Sequence, residues 1–291
     1  MPRAVWRLLL VCCAPAVLLH GAQPSGVRLD LASVLQGVGA AVERYFSRAQ
    51  SVMCIEKVTL QPVGFDLMSQ QALARNLTYE LRISWEPSPD GGAPEASVQR
   101  HLLKVGSRPP RPKDKPGCTD PKEVSPEPLS FLLPSRQSES IFTVAGPAKV
   151  TGRPAVMLDY RAREVGPITS KMTGEDCWSI DLPGRQRGRI WIDAETSDVL
   201  RIDERLAGVY DVTLPPTKTR RVPETMTIER LDSSTVYRPV TFSDPPETVM
   251  LPKSMETVQV VRNSGSPRLR KLQVFSDYRR FLTGGRIVDN D

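Results

Sequence analysis

The chain has 291 residues, of which 40% are hydrophobic and 25% charged, with a formal net charge of +6. That length suits one large domain or two small ones. The basic surplus is mild and scattered apart from Arg108–Pro116 and Lys218–Arg221, both in Pro-rich surroundings and without interleaved aromatics, which read as solvated loops rather than a nucleic-acid surface.

The first 22 residues have the layout of an export signal. Arg3 and Arg7 precede LLLVCCAPAVLL, a 12-residue apolar core, and Gly21 and Ala22 supply small residues before polar Gln23. The core is shorter than the about 20 residues a membrane-spanning helix needs. A lipobox at Cys12 or Cys13 would cut that core in half. The expectation is a signal peptide cleaved near Ala22 and a periplasmic or secreted product of about 270 residues with net charge +4, Arg3 and Arg7 being lost. No later stretch is apolar enough for a transmembrane helix, so the product is not expected to be transmembrane.

From Val27 to Gln50, apolar Leu31, Leu35, Val38, Val42 and Phe46 recur at helical spacing behind Asp30, a suitable N-cap, predicting an amphipathic helix laid on a sheet. From Ser51 the period falls to two. Leu77 to Glu86 alternates throughout, with Leu77, Tyr79, Leu81, Ile83 and Trp85 on one face and Thr78, Glu80, Arg82, Ser84 and Glu86 on the other. Further strands are predicted at 98–105, 141–150, 155–163, 188–193, 199–207, 224–231, 237–242, 254–261 and 268–278. No helices alternate with them, which favours an antiparallel sheet over βαβ units. Gly106 to Pro128 is polar and Pro-rich, a long surface loop expected to be mobile and protease-sensitive. Pro128 to Ser135 is a short apolar patch, suited either to plugging the sheet or to closing a cavity.

GRIWIDAETSDVLRIDERL, Gly188 to Leu206, gathers Asp193, Glu195, Asp198, Asp203 and Glu204. Both halves alternate around a turn-prone AETS, so the stretch reads as a β-hairpin. Asp193, Asp203 and Arg201 then fall opposite the isoleucines, in water, with Arg189 and Arg201 placed to pair opposed acids. Catalytic carboxylate pairs need a burial-shifted member, and nothing in this pattern supplies one. Beyond the signal the only histidine is His101, on a predicted strand, and there is no Gly-rich phosphate loop, GxSxG elbow or CxxC. Neither a catalytic residue nor a metal site nor a cofactor is therefore expected.

Cys54, Cys118 and Cys177 survive cleavage. In an oxidising compartment three pairings are open. Cys118 and Cys177, both in polar, loop-like sequence, are the favoured possible disulfide; Cys54, in strand-like SVMCIEKV, suits a buried free thiol. The sequon at Asn76 would bear a glycan only in a eukaryotic host.

An export signal, an amphipathic helix and a run of antiparallel strands ending in SMETVQVVRN and RKLQVFSDYRRF resemble exported bacterial proteins related to outer-membrane lipoprotein carriers, the LolA/LolB-like half-barrels. Gly188 to Asp203 looks like that group's recurring hairpin, and Phe275 to Phe281 like the closing strand of acidobacterial-type members. The resemblance implies a mainly β, α+β fold: a strongly curved antiparallel sheet, or half-open β-barrel, whose concave face is covered by the N-terminal helix around an apolar cavity for acyl chains. One domain over residues 27–281 and a tail at 282–291 are expected.

Three functions compete. The first is a non-catalytic lipid- or lipoprotein-binding carrier, whose partner is a lipid or acylated protein. Its candidate ligand-facing apolar residues are Tyr79, Leu81, Ile83, Trp85, Ile190, Ile192, Leu200 and Ile202, which would equally serve as a filled core. The second is a cell-envelope module that pairs with another envelope protein through open sheet edges. The third is a hydrolase working with carboxylates alone.

Overall fold

The computed structural model describes residues 30–281 except positions 50, 69–72, 87, 89–93, 115, 127, 175–176, 215–224, 245 and 265–267. The expected signal segment at 1–22, the expected tail at 282–291 and Lys218–Arg221 lie outside the described residues.

Helix α1 spans Leu31–Arg48. Asp30 starts it: its carboxylate accepts from the Ser33 backbone N–H at 3.0 Å and the Ser33 hydroxyl at 2.8 Å, satisfying a donor that the first turn leaves free. The predicted stripe then buries Val38, Val42 and Phe46, while Leu31 and Leu35 are half-buried.

The strands follow as β1 (Ser51–Pro62), β2 (Arg75–Glu86), β3 (Glu95–Val105), β4 (Ser140–Val150) and β5 (Arg153–Ala162). Next come β6 (Thr169–Gly174), β7 (Cys177–Asp181), β8 (Gln186–Asp193), β9 (Val199–Leu206) and β10 (Tyr210–Thr213). Three long strands close the series: β11 (Thr225–Ser243), β12 (Pro246–Arg262) and β13 (Arg268–Arg280). Ten of them lie side by side in the order β3-β2-β1-β13-β12-β11-β9-β8-β5-β4, β10 adds to β11, and β6 and β7 form a separate ribbon. Every pairing is antiparallel.

The edge strands β3 and β4 do not pair, so the sheet is not closed. Yet Val98 of β3 and Phe142 of β4 belong to one apolar cluster with α1. A sheet whose two edges meet around one helix is strongly curved, a half-open barrel with α1 in its concavity. Edge strand β4 carries Pro147 and a bulge next to Gly146, whose φ is +119°; both features discourage a second chain from pairing there.

Two of the predicted strands are continuous. The segments expected at 224–231 and 237–242 form the single strand β11 (Thr225–Ser243), with bulges between Ile228 and Arg230 and between Val236 and Tyr237. Pro239 does not end it, because β9 reaches only as far as Val236 and Pro239 meets β12 alone, leaving its missing N–H on an unpaired side.

The apolar patch at 128–135 enters the core. A 3-10 turn at Ser130–Leu132 leaves Leu132 fully buried and Leu129 and Leu133 nearly so. Gln137 clamps it to the helix, donating to the Leu35 carbonyl at 2.9 Å and the Leu132 carbonyl at 2.8 Å. Gly39 permits this approach, since a Cβ there would sit 2.8 Å from the Gln137 amide and 3.0 Å from Pro134.

The Pro-rich loop is only partly the free segment that its composition predicts. Its second half is tied across the β1–β3 end of the sheet. Cys118 is disulfide-bonded to Cys177, at the start of β7. Asp120 is buried against Arg75, and the carbonyls of Lys122 and Val124 accept from Arg100. Beneath this cover Glu56, wholly buried, meets Arg100 at 2.7 Å and accepts from Gln273 at 2.6 Å. Lys271 lies alongside, burial holding its ammonium below the usual pKa. Charged groups and one covalent bond stand in here for apolar area.

Candidate ligand-binding site

The hairpin β8–β9 forms, with Ile190 opposite Ile202, but one of its acids departs from expectation. Asp193 is 3% exposed rather than in water. It is the last residue of β8, where the chain turns, and its carboxylate accepts from the backbone N–H groups of Glu195 and Thr196, each at 2.9 Å. Arg153 of β5 completes the site at 2.7 Å. Burial pushes the Asp193 carboxyl up, but the Thr196 and Glu195 donors and Arg153 outweigh it and hold the pKa below its usual value. Alternation alone could not show this, because a turn residue answers to the turn's donors and not to the strand period.

Of the remaining acids, Asp203 serves the sheet's outer face, Glu204 accepts from the core residue Tyr160 at 2.6 Å, Asp198 accepts from the Thr196 hydroxyl at 2.7 Å, and Glu195 is exposed in the turn. Arg189 pairs with Asp159 of β5 at 2.6 Å rather than with the opposed Asp203, and Arg201 pairs with Asp203 two residues along its own strand at 2.7 Å. The Arg189 hydrogen bond lowers the Asp159 pKa. Downward shifts oppose proton storage, which a carboxylic general acid requires. Glu56, Asp120 and Asp193, the buried acids, each face an arginine. His101 is exposed on β3 opposite Glu80.

Between α1 and the sheet lies a cavity of about 380 Å³. Ala41, Val42 and Tyr45 of the helix form one wall, and Val199, Tyr237, Val249 and Met250 of β9, β11 and β12 the other, with Leu129 of the 3-10 segment at the end. Three arginines, Arg44, Arg48 and Arg153, also line it, with Asp198 as the one acid among the described lining residues. Arg153 is held by Asp193, and Arg48 lies 3.6 Å from Glu247, which also pairs with Arg280. Arg44 is exposed and, among the described residues, has no carboxylate partner. Apolar walls beside guanidinium groups suit an amphiphile, its chain inside and an anionic group at the arginines. The volume falls at the lower end of ordinary ligand pockets, about 300–1,000 Å³.

None of the eight apolar residues singled out from the strands lines this cavity. Leu81, Ile83, Ile190, Ile192 and Ile202 fill the main core, and half-buried Trp85 packs edge-on against Phe46 with ring centroids 4.8 Å apart. Tyr79 belongs to a second cluster with Val58, Leu60, Leu77 and Leu269, and Leu200 is buried at 3% exposure. The cavity instead uses the flank of α1. Its one sequence signal is Arg44 and Arg48, four residues apart and so on one side of the helix.

No protein-family model matches the chain, and no curated protein matches it. Solved structures similar to it include a domain described as outer membrane lipoprotein-sorting from Vibrio parahaemolyticus, at 10% identity and TM-score 0.41, covering 85% of this chain and 93% of that one. A DUF1329 family protein from Desulfovibrio piger has 12% identity, TM-score 0.40 and coverage of 85% and 92%. A LolA superfamily protein from Nitrosomonas europaea has 8% identity, TM-score 0.36 and coverage of 88% and 97%. No helix among the described residues is long and apolar enough to cross a membrane.

Proposed function

We propose that the protein is a non-catalytic, lipid- or lipoprotein-binding carrier of the periplasm or exterior, and that it takes an acyl chain between α1 and the curved sheet. The observation that carries this reading is the cavity itself, apolar along Val42, Leu129, Val199 and Met250 and flanked by Arg44, Arg48 and Arg153. Six of the eight strand residues, Leu81, Ile83, Trp85, Ile190, Ile192 and Ile202, contribute indirectly, as the packed wall on which the helix rests. Export is supported by the charged start and short apolar core of residues 1–22 and by the Cys118–Cys177 bond.

Native mass spectrometry with lipid extraction, on protein purified from its own envelope, tests the reading. A bound acyl species is expected, and Ala41→Trp, which fills the cavity, should abolish it while the unfolding transition is retained. An empty wild-type protein, or the same species bound to a folded Ala41→Trp variant, would overturn it. Empty protein accompanied by a co-purifying chain would favour an envelope interaction module instead.

A further inference from the structure

The sheet face turned away from α1 carries an unusual juxtaposition. Arg161 of β5 stands directly opposite Arg187 of β8, which stands directly opposite Arg205 of β9. Opposed residues in an antiparallel sheet have Cβ atoms about 4.5–5.5 Å apart, and like charges so placed destabilise it. All three arginines are exposed, and among the described residues none has a side-chain hydrogen bond or an ion pair.

The acids on this face are already engaged. Asp159 holds Arg189, Asp203 holds Arg201, Asp232 holds Arg230 and Glu256 holds Arg270, at 2.6, 2.7, 2.5 and 2.8 Å. Glu204 accepts instead from Tyr160, a core residue, at 2.6 Å. Three arginines are thus left without a hydrogen bond or ion pair, and they line an open groove of about 710 Å³ whose wall also carries the paired carboxylates of Asp159, Asp203, Asp232 and Glu256.

We propose that this groove docks an acidic segment of a partner protein. The row crosses two strand spacings, about 10 Å in all, which is wider than a single phosphate group. An extended peptide places side chains of one face about 7 Å apart, so two of its carboxylates reach successive arginines. Guanidinium forks bind carboxylates bidentately, and the like-charge repulsion present in the free protein is relieved on binding. A concave groove does not fit a flat bilayer. The proposal is independent of the acyl-chain reading, since the cavity lies on the opposite face.

The test is the fluorescence anisotropy of a fluorescein-labelled hexaglutamate peptide titrated with the full protein. Binding in low salt is expected, weakening as salt screens it. The triple variant Arg161→Gln/Arg187→Gln/Arg205→Gln should weaken it roughly tenfold or more, whereas Lys104→Gln on the distant edge strand should not. Thermal unfolding of the triple variant at or above the wild-type temperature is expected, because an opposed-charge strain is removed. Absence of hexaglutamate binding, or equal binding by the triple variant, would overturn the proposal. Phosphatidylglycerol vesicles that bind wild type but not the triple variant, with hexaglutamate inert, would overturn it in favour of a membrane surface.

Discussion

At the α1 end of the sheet, Val38, Val42 and Phe46 share one apolar cluster with Ile190, Ile202 and Leu251, and Leu132 seals it. At the β1–β3 end the same face is closed by a polar loop that brings Asp120 to Arg75 and its carbonyls to Arg100, over a wholly buried Glu56. Apolar closure loses stability in proportion to the area removed. Polar closure fails sharply, because each buried charge depends on a specific partner. The first end can therefore host an opening such as the cavity beside α1, and the second is built to stay shut.

The largest effect should come from Arg100→Ala. It strands the Glu56 carboxylate, and urea unfolding should show a loss of about 3–5 kcal/mol, against about 2 kcal/mol for Val42→Ala at the helix end. If Val42→Ala proved the more damaging, the contrast between the ends would collapse.

Next in size is the covalent tie. Replacing Cys118 and Cys177 by serine should cost about 2–4 kcal/mol and admit trypsin at Lys122, while cleavage around Arg44 and Arg48 stays unchanged. Limited proteolysis followed by peptide mapping reads this directly. Uniform acceleration at both ends would mean that the bond stabilises the chain generally and does not hold the cover in place.

The smallest effect separates the two kinds of acid in the β8–β9 hairpin. Asp193→Ala leaves two turn N–H groups and Arg153 without their acceptor and should cost about 1–3 kcal/mol; Glu195→Gln, exposed in the turn, should change stability by less than about 0.5 kcal/mol. Because the folded pKa values of Asp193 and Asp159 lie below their unfolded values, their contribution is present above about pH 4 and is lost as pH falls through the folded values. Stability measured against pH should show this acid limb, and Asp193→Ala should shrink it. An unchanged limb would show that Asp193 is not held as the geometry indicates.

Much of this architecture was legible in local pattern. The Asp30 cap, the helical stripe, the alternation of Leu77 to Glu86 and the β8–β9 hairpin all depend on neighbours a few residues apart, where the period of the chain dictates which side chains share a face. Burial of Leu81, Ile83, Ile190, Ile192 and Ile202 follows from the same rule. What alternation leaves open is what lies against that face. The strand residues were candidates for a cavity wall, yet the 3-10 segment and α1 fill the space in front of them and leave the opening along the flank of the helix.

The period of two assigns Arg161, Arg187 and Arg205 to faces of their own strands but says nothing of their meeting, which needs the register of β5, β8 and β9. Burial of Asp193 needs Arg153 from another strand, and burial of Glu56 needs Arg100 and Gln273, the latter 217 residues away. Short-range sterics and hydrophobic periodicity act within a turn or a strand and so are written in adjacent letters. The pairing of distant charges, the curvature that brings β3 and β4 around one helix, and the cavity left between them arise from many weak long-range contacts that form together, and no short stretch of this chain encodes them alone.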